Sequence, residues 1–536
     1  MDARAPHHHI AIVGSGFAGL GIAIGLRRDG EEDFVVLERA EDLGGTWRDN
    51  TYPGCGCDVP SHLYSFSFAP NPGWSRTFSR QPEIWEYMKG VSRRYGIDPH
   101  IRYRHEVTAA AWDGERERWR IETAAGPLTA DVLIAGAGGL SEPKLPEIPG
   151  IESFQGKLFH SARWDHGHSL EGERIGVIGT GASSIQFVPE IQPRAGRLHV
   201  FQRTPPWIVS SRDRAVSRLE QTIYRALPAA QLAMRAAIYW ARELFVIGFM
   251  HPREGSPGER MARRHLETQV PDPELRAKLT PTYRMGCKRV LISDDYYPTL
   301  AQPNVEVVTD SIARITPTGI LTADGIEREL DTIILGTGFH VTDMPVGNWV
   351  RGADGHTLAE IWKGSPQAYL GASVAGFPNL FLLVGPNTGL GHNSIVFMIE
   401  SQINHLRSCL RFMREHGLHT FEVHGEVQDR FNERVQRRLR GTVWNSGGCA
   451  SWYIDENGRN TTIWPGFTWP FRRRTRRFRP NDYRLLPRRA SVAASQASIA
   501  DPQMSVADSQ ASIADPQMSV ADSQASIADP QMSVAD

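Results

Sequence analysis

Short apolar runs bounded by glycine alternate with helix-period segments along most of the chain. The first run, Ile10-Ala11-Ile12-Val13, is apolar and partly β-branched, which predicts a parallel strand buried on both faces. Gly14, Ser15, Gly16, Phe17, Ala18 and Gly19 follow as a GxGxxG turn. Residues 20–28 then carry apolar side chains at helical spacing, and residues 34–37 form a second apolar run ending in Glu38. Each part has a task in holding a dinucleotide. Gly14 permits the tight turn, Gly16 lets the backbone approach a pyrophosphate, and Gly19 lets helix and strand pack closely, while the helix N-terminus attracts phosphate charge. Glu38 can accept hydrogen bonds from a ribose hydroxyl pair. A lone GxGxxG is weak evidence, but strand, turn, helix, strand and acid in order within about 30 residues are specific.

The pattern recurs. Residues 174–178 predict a strand, Gly179-Thr180-Gly181-Ala182-Ser183-Ser184 a second turn, and residues 185–191 the start of a helix. Ser184 replaces the third glycine and is still small enough for fairly close packing. The next strand, 198–202, ends in Arg203-Thr204 instead of an acid. An acid there favours a free ribose hydroxyl, whereas arginine and threonine can hold a 2′-phosphate, so this unit should prefer NADPH over NADH. Strands are also expected at 106–111, 119–123, 131–135, 305–308, 313–316, 332–335 and 380–384, with a helix at 394–410. Gly336-Thr337-Gly338-Phe339 echoes Gly136-Ala137-Gly138-Gly139, as if the chain returns to its first domain. Pro143, Pro146 and Pro149 form a stiff exit from that domain.

The expected fold class is α/β, with two Rossmann-like dinucleotide-binding domains, a helical insertion in the second and a disordered repeat tail. The expected division is 1–150, 151–211, 212–285 (the insertion), 286–335, 336–485 and 486–536. The tail repeats SQASIADPQMSVAD three times, and its small polar composition cannot build a packed core.

Composition narrows the class. The 536 residues exceed one core, and a net charge of −1 exerts no global pull towards nucleic acid or membrane. Five cysteines without a disulfide spacing pattern, no signal peptide and no uncharged spanning run suggest a cytoplasmic protein. The run 229–250 is interrupted by Arg235, Arg242 and Glu243, so it reads as a buried or amphipathic helix, with contact to a membrane surface left open. His7-His8-His9 leads straight into the first strand and nothing nearby completes a ligand set, so no metal site is expected. Residues 43–58 are dense in glycine, proline and aromatics, a loop suited to stacking on a flat heterocycle. Cys55 and Cys57 are one residue short of the CxxC spacing of a disulfide reductase. Trp444, Trp452, Trp464 and Trp469 either line a pocket or lid or fill ordinary core. Oligomeric state is not legible.

Phe154, Gly156, His160, Trp164 and Asp165 match FxGxxxHxxxW(P/D), and Gly45, Trp47, Tyr52, Pro53, Gly54 and Asp58 match GxWxxxx(F/Y)P(G/M)xxxD. With two nucleotide turns flanking the first pattern, the chain over about residues 8–480 resembles the type I Baeyer–Villiger monooxygenases. The resemblance implies FAD on the first unit, with Glu38, Thr46, Trp47, Asp58, Tyr64 and Val107 around it. It implies NADPH on Gly179 to Ser184, with Arg203, Thr204 and Lys288 at the 2′-phosphate. It implies that a peroxyflavin inserts one oxygen atom of O2 beside a ketone carbonyl to give an ester or lactone. Arg289 matches the family's catalytic arginine, and Asp58 the acid that positions it. His160 resembles a linker contact between domains more than a general base. Rival readings are a monooxygenase of sulfides or amines, a non-oxygenating flavin reductase and a nucleotide sensor without enzymatic activity.

Overall fold

A computed structural model describes residues 5–488; the repeat tail lies outside them. β1 (His7–Val13), α1 (Phe17–Arg28) and β2 (Phe34–Leu37) form in the expected order. β1 begins earlier than expected because His7, His8 and His9 join it, tied by their rings to Thr129, Asp33 and Asp131. β3 (Ile101–Arg102) extends the sheet beyond β2. β4 (Val107–Asp113), β5 (Arg118–Thr123) and β6 (Gly126–Ala135) make an antiparallel meander. β6 is long enough to serve more than one neighbour. Its first half pairs with β5, while its second half runs parallel to β1, with Ala135 opposite Val13.

The second sheet is wholly parallel. β7 (Lys157–His160) and β8 (Arg174–Ile178) come first, then α2 (Ser184–Ile191) and β9 (Arg197–Phe201). Four helices follow: α3 (Arg218–Ala226), α4 (Pro228–Met250), α5 (Pro257–Gln269) and α6 (Pro273–Lys278). β10 (Val305–Val308) and β11 (Thr332–Leu335) complete the sheet, in the order β10-β9-β8-β11-β7. Strands covered on both faces must be apolar throughout, and Ile175, Val177, Leu198, Val200, Ile333 and Ile334 are all fully buried. The chain then re-enters the first sheet. β12 (Val350–Arg351) pairs with β4, and β13 (Leu380–Leu382) with β6. α7 (Ile395–Glu415) packs on α1, where glycines allow close approach. A Cβ on Gly21 would meet the Ile403 side chain at 2.8 Å, and one on Gly25 would meet Arg407 at 2.8 Å.

Three features go beyond the sequence reading. α4 is amphipathic but turned inside out, with its charged residues facing the protein. Of the four tryptophans, Trp444 and Trp464 are core, while Trp452 and Trp469 are exposed. A disulfide joins Cys287 to Cys449 across 162 residues, leaving Cys55, Cys57 and Cys409 as buried free thiols. Spacing could not forecast that bond, because the two cysteines meet only through long-range topology. Thiol titration of the denatured chain without reductant should therefore give three thiols, and five after dithiothreitol. A count of five before reduction would mean the bond does not form.

Candidate active site

The first nucleotide turn is built by close backbone approach. Gly14 has φ +92°, and a Cβ there would meet the Gly136 carbonyl oxygen at 2.8 Å. A Cβ on Gly19 would lie 1.8 Å from the Gly14 carbonyl oxygen, so helix and turn cannot pack this way with any larger residue. Phe17 and Ala18 point into the core, leaving their backbone at the α1 N-terminus for a phosphate. Glu38 is buried beside the turn. It accepts from Ser15 N at 3.0 Å, Ser15 Oγ at 2.6 Å, Ala40 N at 3.0 Å and Arg48 Nη1 at 2.8 Å. Burial alone would raise the carboxyl's pKa; Arg48 and these donors outweigh it and hold Glu38 ionised. The loop after β2 lies on the same turn. A Cβ on Gly45 would sit 3.2 Å from Gly16 Cα, and Thr46 opens the short helix Thr46–Asp49 that carries Trp47. Trp47 Nε1 donates to Tyr64 Oη at 3.1 Å, and the Tyr64 ring meets Phe17 edge-on at 5.2 Å. Val107 opens β4 close by, since His105 N donates to the Glu38 carbonyl at 2.9 Å.

The second turn repeats the device. Gly179 has φ +108°, and a Cβ there would meet the Gly336 carbonyl oxygen at 2.4 Å. Gly336 thus serves the second turn as Gly136 serves the first. Ser184 takes the third glycine's place by burying fully, with its Oγ against Gly336 and without a hydrogen-bond partner. Its side chain therefore packs the turn, and only its backbone is placed for a ligand. Gly181 and Ala182 are exposed at the mouth, Ser183 is half-buried, and nothing lies within 4 Å of a Cβ on Gly181. Thr180 Oγ1 donates to the Thr204 carbonyl at 3.3 Å, tying the turn to the end of β9. Arg203 is exposed there, and Lys288 lies close enough to feel its charge. Burial and then Arg203 push the Lys288 pKa down. Lys288 Nζ lies over the Tyr283 ring, 5.4 Å from its centre, and neither cation has an ion-pair partner among the described residues, so an anion here would be favoured.

Between the cradles, Arg289 forks onto Asp58. Nε donates to Oδ2 at 2.5 Å and Nη2 to Oδ1 at 2.6 Å, while Nη1 donates to the Leu390 carbonyl at 3.2 Å. Burial would push the Asp58 carboxyl up, but Arg289 and then Arg242 hold it below the usual carboxylate range. Burial also works against the Arg289 charge, and Asp58 more than offsets it, so the guanidinium stays charged. The loop bearing Asp58 reaches the second unit through Gln186 on α2. Gln186 Oε1 accepts from Tyr52 Oη at 3.0 Å and Gly56 N at 3.2 Å, and its Nε2 donates to the Gly56 carbonyl at 3.0 Å.

The family described as pyridine nucleotide-disulphide oxidoreductase matches residues 11–239. A Baeyer–Villiger monooxygenase of Streptomyces coelicolor is 54% identical over 494 residues, covering 92% of this chain and 95% of its own. One of Pseudomonas aeruginosa is 48% identical over 498 residues, covering 92% and 94%. The chain belongs to the Baeyer–Villiger monooxygenases. Among solved structures, the OTEMO complex with FAD and NADP aligns with a TM-score of 0.80 at 27% identity, covering 90% of this chain and 100% of that one.

In this Baeyer–Villiger monooxygenase, Cys55 and Cys57 are poor redox partners. Burial raises the Cys55 thiol to about 12 and lifts Cys57 well above its ordinary value, so neither forms the thiolate that exchange needs. His160 ends β7 and is buried, with Nδ1 accepting from Ala162 N at 3.0 Å. Burial lowers its pKa to about 4, which leaves it a weak base. Its strand pairs with β11, Leu335 opposite His160, at the segment leading back to the first sheet. Sequence reasoning missed Arg48, Gln186, Arg242 and Tyr453. Tyr453 is buried with an unpartnered hydroxyl, and it feels the charges of both Arg289 and Asp58. Gln186, Arg242 and Tyr453 act on residues distant in sequence, which no local spacing signals, and Arg48 reaches Glu38 over ten residues through an irregular loop that has no period to read.

Proposed function

We propose that FAD occupies the first cradle and NADPH the second, and that the enzyme inserts one oxygen atom of O2 beside a ketone carbonyl to give an ester or lactone. The observation supporting this reading is the Arg289–Asp58 fork, whose acid lies on the loop that follows the first turn and whose arginine directly follows Lys288. The residues present fit both cofactors. Gly14, Ser15, Gly16 and Gly19 receive a pyrophosphate at the α1 N-terminus, and Glu38 faces the ribose that follows. Thr46, Trp47, Asp58, Tyr64 and Val107 surround the remainder. Gly179 to Ser184 form the second phosphate turn, and Arg203, Thr204 and Lys288 face a 2′-phosphate. When bound, FAD takes two electrons from NADPH and passes them to O2. Arg289 stabilises the negative charge that develops on the reacting oxygens, being a donor that does not deprotonate. Asp58 fixes the plane of that guanidinium.

Residues 1–150 and 336–485 form the FAD-binding part in this reading, and 151–211 and 286–335 the NADPH-binding part, with 212–285 as the insertion. No helix among the described residues is long and apolar enough to cross a membrane, and the proposed location is the cytoplasm, where NADPH is supplied. The substrate partners are a ketone and O2.

The test is stoichiometry with product analysis across linear, cyclic and aryl ketones and a thioether. One NADPH and one O2 should be consumed per ester formed, with one water released. Sulfoxide without ester from every ketone would replace this reading with that of a sulfide oxygenase.

A further inference from the structure

α3 and α4 present an apolar surface to solvent that folding alone does not explain. A helix packed on a protein ordinarily turns its apolar stripe inward. α4 does the reverse. Arg235, Arg242 and Glu243 are its only charged residues, and all three turn inward. Arg235 Nη1 donates to the His62 carbonyl at 2.6 Å, Arg242 Nη2 to the Asp58 carbonyl at 3.3 Å, and Glu243 accepts from Asn393 Nδ2 at 2.6 Å and Thr468 N at 2.9 Å. The outward face carries Leu232, Met234, Trp240, Leu244, Phe245 and Ile247, each between 41% and 65% exposed, with alanines between them. On α3, Leu219 and Ile223 repeat at four-residue spacing and are 70% and 43% exposed, and Leu227 in the junction continues the stripe at 56%. The 23 residues of α4 extend the surface over about 35 Å.

The charges at the margin indicate what covers it. Arg218, Arg225 and Arg253 are exposed at the edges and ends of the apolar face and form no ion pair among the described residues. The carboxylates of the two helices do not answer them. Glu220 is bound to Arg214 at 2.8 Å, and Glu243 is buried. A second copy of this face would therefore meet the arginines with arginines and no acid. An apolar strip bearing a tryptophan, rimmed by unpaired arginines and too interrupted by charge to span a bilayer, matches a helix lying in the headgroup layer of an anionic membrane.

We propose that the outer face of α3 and α4 docks on an anionic lipid surface. The inner face of the same helix touches the loop of Asp58, so docking sets the lipid about one helix diameter, roughly 10 Å, from the Arg289 fork. An apolar ketone dissolved in that layer would reach the oxygenating site along a short path. Docking of this surface does not depend on which substrate is oxidised.

The test is flotation of the full-length holoenzyme with vesicles of phosphatidylcholine alone and of phosphatidylcholine with phosphatidylglycerol, alongside light scattering. Wild type should bind the anionic vesicles and release at high salt. Leu244→Glu, on the exposed face, should lower the bound fraction by about tenfold, with NADPH oxidation in lipid-free buffer unchanged. Arg218→Glu with Arg225→Glu should weaken binding to the anionic vesicles. Absence of binding to either vesicle, or equal binding to both, overturns the proposal. So does a wild-type dimer that Leu244→Glu dissociates, which would assign the face to self-association.

Discussion

Arg289→Ala should still oxidise NADPH and consume O2 but release hydrogen peroxide in place of ester. Ester formation should fall by a factor of about 100 to 1,000, the usual effect of removing a preorganised donor from a developing oxyanion. The expectation follows from what the side chain does in the fold. Arg289 is held on one side by both carboxylate oxygens of Asp58 and on another by the Leu390 carbonyl. Its orientation is therefore set before any substrate arrives, and no reorganisation is needed when charge develops. Electron delivery depends on the two cradles and leaves NADPH oxidation largely intact. The hydride of NADPH brings two electrons and one proton, the solvent supplies the second proton, and O2 leaves as hydrogen peroxide. Arg289→Lys should recover little, because a single ammonium cannot hold both Asp58 oxygens in the plane of a fork. Asp58→Asn tests the positioning role separately. It keeps the shape but removes the charge that offsets Arg289 burial, so ester yield per NADPH should fall while Arg289 remains in place. Unchanged ester yield in Arg289→Ala would remove the side chain from the chemistry and leave its ion pair as a purely structural bond.

What could be read in advance divides by distance along the chain. β1, the glycine turn, α1 and β2 are contiguous, and their periods and glycines specify them locally, so they were legible. The same holds for β8, the second turn and β9. Ser184 was legible as a tolerable substitute, but its actual solution, an Oγ buried against Gly336, joins positions over 150 residues apart. The Gln186 bridge to Tyr52 and Gly56 and the Arg242 contact to Asp58 span 130 residues or more, and no spacing rule reaches that far. The Cys287–Cys449 bond is hidden for the same reason. α4 shows a different limit. Periodicity shows that one face is apolar, but not that this face is outward. The inward placement of Arg235, Arg242 and Glu243 depends on carbonyls and amides supplied by the loops of the first sheet and the C-terminal segment.

Arg203→Ala combined with Lys288→Ala should abolish the preference for NADPH over NADH. The two cations lie close enough that Arg203 helps to lower the Lys288 pKa, yet neither has a carboxylate partner among the described residues. A dianionic phosphate entering there would take a charge-assisted hydrogen bond from each of them. Such bonds contribute about 1.5 to 3 kcal/mol each, which corresponds to roughly ten- to a hundredfold in affinity apiece. The KM for NADPH should rise by that factor for each single variant and by more in the double variant. The KM for NADH, which lacks the 2′-phosphate, should change little, and kcat with saturating NADPH should hold because neither side chain is the one that steadies the reacting oxygens. Higher salt should raise the wild-type KM for NADPH and not that for NADH, since Arg203 is exposed and its attraction is screened. The deciding measurement is the ratio of kcat/KM for the two nucleotides in wild type and variants. If the double variant keeps the wild-type ratio, the 2′-phosphate is held elsewhere, and the acid-to-arginine change at the end of β9 is an exposed surface residue with no part in cofactor choice.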